Sequence, residues 1–127
     1  MSKHDYAIHH ASYVVSDTET SLKFYCNVLG MEQLERPELP FPGAWLAVGE
    51  QQIHLLELEN QDPTTGRPQH GGRDRHIALT VSDLSLVKAD LDEHNVHYTL
   101  SKSGRQALFC RDPDGNAVEV IELSELL

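Results

Sequence analysis

Two six-residue stretches, IHLLEL at 53–58 and VEVIEL at 118–123, share one apolar scaffold, and His54 stands in the first where Glu119 stands in the second. A second match lies upstream of each. HASYVVSD at 10–17 superposes on HIALTVSD at 76–83, placing His10 on His76, Val15 on Val81 and Asp17 on Asp83. The first pair is offset by 65 residues and the second by 66. Two matches at nearly one offset read as an internal duplication.

The element pattern agrees. IHHASYVVSD (8–17) alternates and is rich in β-branched and aromatic residues, which predicts a strand running into a helix capped by Asp17. TETSLKFYCNVL (18–29) then puts Leu22, Tyr25, Val28 and Leu29 on one helical face, and Gly30 stands where a C-terminal cap belongs. MEQLER is a short strand, ELPFPG a proline-punctuated loop, and AWLAV with QIHLLEL a hairpin about GEQ. The second half repeats the order: strand RHIALTVSD, helix LSLVKADLDEH with Leu84, Val87 and Leu91 on one face, strands HYTLS and QALFC, turn RDPDGN, strand AVEVIEL. The expectation is an α+β fold of two tandem βαβββ modules in a single domain, 1–127. Module one covers about 7–58, a Gly- and Pro-rich linker about 59–74, and module two about 75–124.

A chain of 127 residues can bury one core without staples. Its 20 acidic against 10 basic residues give a net charge of -10, which repels phosphate backbones and anionic membranes and argues against both as partners. Only Cys26 and Cys110 are present, far apart, so no disulfide framework is expected and a reducing compartment fits. The polar start MSKHDYAIHH is not a signal peptide, and no apolar run reaches membrane-spanning length, so a cytoplasmic location is expected.

Side chains alternate faces along a strand. Ile53, Leu55, Val118 and Val120 should therefore face the helices, while His10, His54, His76 and Glu119, on the first and fourth strands of each module, face a shared concave surface. Three imidazoles and a carboxylate suit Zn, Ni, Fe, Mn or Co. A carboxylate inside AVEVI is costly unless paired or coordinated, so Glu119 carries the most weight. Set against this, any one strand histidine is more often hydrogen-bonded or exposed than a ligand. His9 should face away from His10, and His4, His70, His94 and His97 should be solvated. Arg105 is either a receptor for an anionic substrate group or an exposed loop arginine; Trp45 and Phe41 either line the cup or pack the core. Asp-Pro-Asp-Gly is first a turn. No nucleophile elbow, phosphate-binding glycine loop or dinucleotide fingerprint is present.

HHASYVVSDTETSLKFYCNVLGM, RHIALTVSD and FCRDPDGNAVEVIE together resemble the vicinal oxygen chelate superfamily, which includes glyoxalase I, bleomycin-binding proteins and extradiol dioxygenases. The resemblance is closest to small glyoxalase-I-like proteins. It implies a cupped, barrel-like mixed sheet around one divalent metal, held here by His10, His54, His76 and Glu119. It also implies a lyase or isomerase of lactoylglutathione lyase type. Such an enzyme acts on a small hydroxycarbonyl or thiol-adduct substrate, the adduct being of glutathione or another thiol, through a chelated enediolate. Glu119 and His54 would be the proton-transfer groups, and the assembly a homodimer. Two positions depart from glyoxalase I: His54 stands where Glu is usual, and Val14 where an arginine serves glutathione. His10, His76 and Glu119 alone form the two-His-one-carboxylate set of an Fe(II) extradiol-type dioxygenase. The acidic net charge suits the third alternative, a non-catalytic bleomycin-type drug-binding protein.

Overall fold

The computed structural model describes residues 3–126. The alternating stretch after His9 becomes strand β1 (His10–Val15), and the Asp17 carboxylate caps helix α1 (Thr18–Leu22) by accepting from the Glu19 amide. The helix continues through a π-helical segment, Lys23–Val28, in which the Leu29 amide donates to the Phe24 carbonyl five residues back. Strands β2 (Glu32–Leu34), β3 (Gly43–Val48) and β4 (Gln51–Glu57) complete the module. The second module has β5 (His76–Val81), α2 (Leu84–Glu93), β6 (Tyr98–Leu100), β7 (Ala107–Arg111) and β8 (Ala117–Glu122). Each module forms one four-stranded mixed sheet, ordered β1-β4-β3-β2 and β5-β8-β7-β6. The first and last strands of each pair in parallel, and the remaining pairs are antiparallel. This is the expected α+β arrangement of two βαβββ modules.

The repeated Glu of the two stretches quoted first has a local purpose. Glu57 accepts from the Thr18 amide at 2.8 Å and Glu122 from the Leu84 amide at 3.1 Å. Each closing strand thus places a carboxylate on the N-terminus of its own helix, where free amides and the helix dipole favour negative charge. Ile53, Leu55, Val118 and Val120 are buried in the core, as alternation required. The helical face differs from expectation. Ser21, Phe24, Tyr25 and Val28 are buried while Leu22 and Leu29 are only partly so, because the wider π turn rotates the buried stripe. Gly30 ends the helix at φ +76°, where a side chain would be strained.

RDPDGN is much more than a turn. The Asp112 carboxylate is buried and takes four donors: the Asp114 and Asn116 amides, the Asn116 side chain and the hydroxyl of fully buried Tyr25 in module one. Around it, Tyr13 donates to the Ala117 carbonyl at 2.7 Å, the Ser16 amide to Asp114 at 3.0 Å, and Asn116 to the Val14 carbonyl at 3.2 Å. The loop between β7 and β8 is the clasp that joins the modules. Burial pushes the Asp112 carboxyl above its ordinary value, and the donors pull it partly back.

The linker is also fixed. Asp74 receives Arg67 and Arg111, and Arg111 also donates to the carbonyls of Pro68 and Gly115. His70 is not solvated as expected. Its Nε2 donates to the Leu100 carbonyl at 3.0 Å while Nδ1 accepts from the Gly72 amide, starting the 3-10 turn Gly71–Arg73. Cys26 and Cys110 are free, and burial pushes the Cys110 thiol up to about 12. No helix among the described residues is long and apolar enough to cross a membrane.

Asp112→Ala is expected to lower unfolding free energy by about 3 kcal/mol, and Tyr25→Phe by about 1 kcal/mol. Urea denaturation of both single variants and the double variant should give a positive coupling energy; strict additivity would deny the clasp its role. Asp74, held well below the usual carboxylate range first by Arg67 and then by Arg111, should stabilise the fold at neutral pH. A lowered carboxyl adds stability above its unfolded value, about 3.9, and loses it as pH falls further. The stability gap between wild type and Asp74→Asn should therefore narrow below about pH 4 in acid titrations.

Candidate functional site

One row of residues crosses each sheet on its helix-free face. In module one it runs Leu34, Trp45, His54, Ser12, and in module two Thr99, Phe109, Glu119, Ala78. His10 and His76 sit two residues before Ser12 and Ala78 on the same strands, so each lies beside the fourth-strand donor of its own module. The four sequence-predicted donors are brought together two by two. No group of three or more metal-binding side chains forms within the chain among the described residues.

In module two, His76 Nε2 lies 3.2 Å from Glu119 Oε1. His76 Nδ1 is 2.8 Å from the Asp74 carbonyl, which can only accept, so Nδ1 carries a proton. In the neutral imidazole Nε2 then presents a bare lone pair to a carboxylate oxygen. Two acceptors facing each other require a positive centre between or upon them, either a proton or a metal ion. Two neighbouring ligands of an ion with bond lengths near 2.1 Å lie roughly 3.0–3.4 Å apart, so the observed spacing fits one ion. The Nδ1 bond to a backbone carbonyl is the support that metal-bound histidines commonly have. Glu119 is only 4% exposed, and its second oxygen takes Arg105 at 3.3 Å. The buried carboxylate is thus paired.

Module one is different. The rings of His10 and His54 stack at 3.9 Å with 13° between planes, and Trp45 stacks on the other face of His54 at 4.3 Å and 5°. A ring nitrogen binds metal in its own plane, so two parallel rings cannot both aim at one ion. His54 Nε2 is also engaged by Gln52 at 2.8 Å. Burial first, then the charges of His10, His9 and Arg36, lower the His54 pKa and keep it neutral. In this arrangement His10 and His54 can offer one ion only one of their two rings, and each has one nitrogen engaged, His54 by Gln52 and His10 by His9. His9 does not point away from His10 as alternation implied. It precedes β1, and its Nδ1 lies 2.8 Å from His10 Nδ1. Arg105, weighed in the sequence as a loop residue, turns out to sit on Glu119; its position two residues before β7, in phase with Phe109, is the signal for that face. Trp45 lines this face, and its cross-strand register with His54 could have been read from the hairpin.

Residues 7–120 match the Glyoxalase/Bleomycin resistance protein/Dioxygenase superfamily, and the chain belongs to it. It is 30% identical over 126 residues to "Glyoxylase I 4" of Arabidopsis thaliana, covering 94% of this chain and 72% of that protein. It is 30% identical over 125 residues to the lactoylglutathione lyase of Salmonella typhimurium, covering 91% and 92% of the two chains. A glyoxalase family protein from Bacillus anthracis shares the fold at a TM-score of 0.79, with 24% identity and coverage of 96% and 98%.

Arg105 is partly exposed, so its pull on Glu119 is modest and screened. Arg105→Gln should tighten divalent-metal binding by about two- to fivefold by removing a competing cation. Competition against a chromophoric chelator measures this, and weaker binding in the variant would make Arg105 a support for Glu119 instead.

Proposed function

We propose that this chain is a divalent-metal-dependent enzyme of glyoxalase I type, acting on a small hydroxycarbonyl or thiol-adduct substrate. The observation that carries the reading is the His76–Glu119 pair: a proton-fixed imidazole offering its lone pair toward a buried carboxylate, in a fold shared with relatives named for this chemistry. His10, His76 and Glu119 would hold the ion. When bound, Zn, Ni, Fe, Mn or Co supplies Lewis acidity toward two neighbouring substrate oxygens.

The rest falls to the protein. Glu119 is the group suited to take the proton from the carbon beside the carbonyl and return it to the neighbouring carbon, an isomerisation with nothing gained or lost. Its walls, Phe109 and Ile121, are buried and apolar, which keeps water from the exchanging proton. The stacked, neutral His54 orients His10. Its engagement by Gln52 leaves it less suited to proton transfer.

The pairing of donors by module supports a homodimer in which His10 of one subunit meets the His76 and Glu119 contributed by its partner. Metal content of co-purified variants tests this. His10→Ala and His76→Ala homodimers should each lose most bound metal, whereas the mixed dimer should recover one site in two, since one pair of wild-type halves still meets. Recovery of none would mean that each site closes within one chain.

Glu119→Gln tests the chemistry. Solvent exchange of the substrate's carbon-bound hydrogen should fall by roughly two or more orders of magnitude in the metal-loaded variant. Wild-type exchange would remove Glu119 as the base. The stacking, which lets only one module-one ring point at an ion, also favours a second reading, an Fe(II) dioxygenase using His10, His76 and Glu119. Oxygen uptake with catechol by the iron-loaded protein, and none with hemithioacetals, would select it.

A further inference from the structure

His9 is the last residue before β1, and its backbone is tied to β4 by the Gln52 amide, which donates to the His9 carbonyl at 3.1 Å. So tied, it sets its ring beside that of its neighbour. His9 Nδ1 lies 2.8 Å from His10 Nδ1, and the two rings meet edge to face with 86° between their planes. The flat side of His10 stacks on His54, whose Nε2 is held in turn by the Gln52 side chain. One glutamine thus anchors both supports of His10, one through its amide and the other through its Oε1.

Two neutral ring nitrogens at this distance share one hydrogen, one donating and the other accepting. With Nδ1 committed to His9, Nε2 is the nitrogen that His10 has left to offer. A neutral imidazole with a bare Nε2 carries its hydrogen on Nδ1. His10 Nδ1–H then donates, and His9 must present a bare Nδ1 and keep its own hydrogen on Nε2. Module two meets the same need with its main chain, where His76 Nδ1–H donates to the Asp74 carbonyl at 2.8 Å. The offset of 66 puts Arg75 at the place equivalent to His9, and an arginine cannot accept. The acceptor is therefore a backbone atom in module two and a side chain in module one.

We infer that His9 is a positioning residue for the metal site: its Nδ1 accepts from His10, fixes the tautomer and plane of that ring, and leaves His10 Nε2 to face the ion. The inference rests on the metal-enzyme reading above, in which His10 is the module-one ligand, and gives a task to a side chain that reading does not use. An acceptor behind a metal-bound imidazole orients the ring and raises its basicity, and removing one commonly costs roughly 10- to 100-fold in metal affinity.

The test measures zinc affinity, by competition with a chromophoric chelator, in wild type, His9→Phe, His9→Asn and His9→Asp. The Oδ1 of Asn or Asp is bonded to the γ carbon, as Nδ1 is in histidine, so both variants keep an acceptor near the same place without the ring. Phe keeps a ring without the acceptor. His9→Phe should bind zinc about tenfold more weakly than wild type, and His9→Asp, which accepts and cannot donate, more tightly. His9→Asn should stay near wild type; being neutral, it separates the acceptor from added charge. A merely structural ring would give the reverse order, with Phe the mildest change. Cobalt(II)-saturated wild type and His9→Phe should show the same visible absorption bands, because no ligand is lost. Zinc affinity unchanged in His9→Phe, or falling equally in His9→Phe and His9→Asn, overturns the inference and leaves the metal site standing. So do altered cobalt bands in His9→Phe, which would make His9 a ligand itself. Wild type that binds no zinc overturns the metal reading, and this inference with it.

Discussion

A single buried carboxylate determines how the two halves of this protein meet. Asp112 gathers two backbone amides of its own loop, the Asn116 side chain and the Tyr25 hydroxyl of the other module. The first three contacts shape the loop, and the fourth fastens it to the helix beneath β1. With the loop held, Asp114, Asn116 and the Ala117 carbonyl reach Ser16, Val14 and Tyr13. The inward ends of β1 and β8 are therefore set by one electrostatic knot. Those are the strands that carry His10 and Glu119.

The candidate donors appear in pairs for a reason that lies within each module. Each module builds its own sheet, helix cap and donor pair, and the clasp settles only the angle between modules. A pair of groups on adjacent parallel strands is local geometry, which each βαβββ unit guarantees by itself. Assembly of a complete coordination set is a different task, and it depends on which module faces which. The module-two pair is the better prepared: its imidazole is fixed by a backbone carbonyl and its carboxylate is buried. The module-one pair is stiffened by ring stacking from Trp45 through His54 to His10.

Much of the fold was legible because duplication doubles every signal. Asp17 and Asp83 mark equivalent helix starts, and the alternation about His54 and Glu119 set which residues enter the core. The π segment was not legible, since Leu22, Tyr25, Val28 and Leu29 fit an ordinary helical face and only packing reveals the wider turn. RDPDGN was read as a turn because its turn chemistry is local, whereas its clasping role depends on Tyr25, 87 residues away in sequence. The positions of the donors were readable from strand parity. The orientation of the His54 ring was not, because it is set by side-chain torsion against Trp45 and Gln52, which periodicity does not encode.

The parallel pairing of β1 with β4, and of β5 with β8, bears on how the chain acquires its shape. Antiparallel neighbours such as β3 and β4 meet through a two-residue turn and can zip locally. β1 must wait for β4, across the helix and two further strands, before any of its ladder bonds form. Closing such a span exacts chain entropy before contacts reward it, so topologies of this kind fold more slowly than helical ones of equal size. Each module should therefore have a late, cooperative closing event, with its hairpin forming early and its first strand joining last. The chain's own duplication limits the delay, since neither closure spans more than half the molecule.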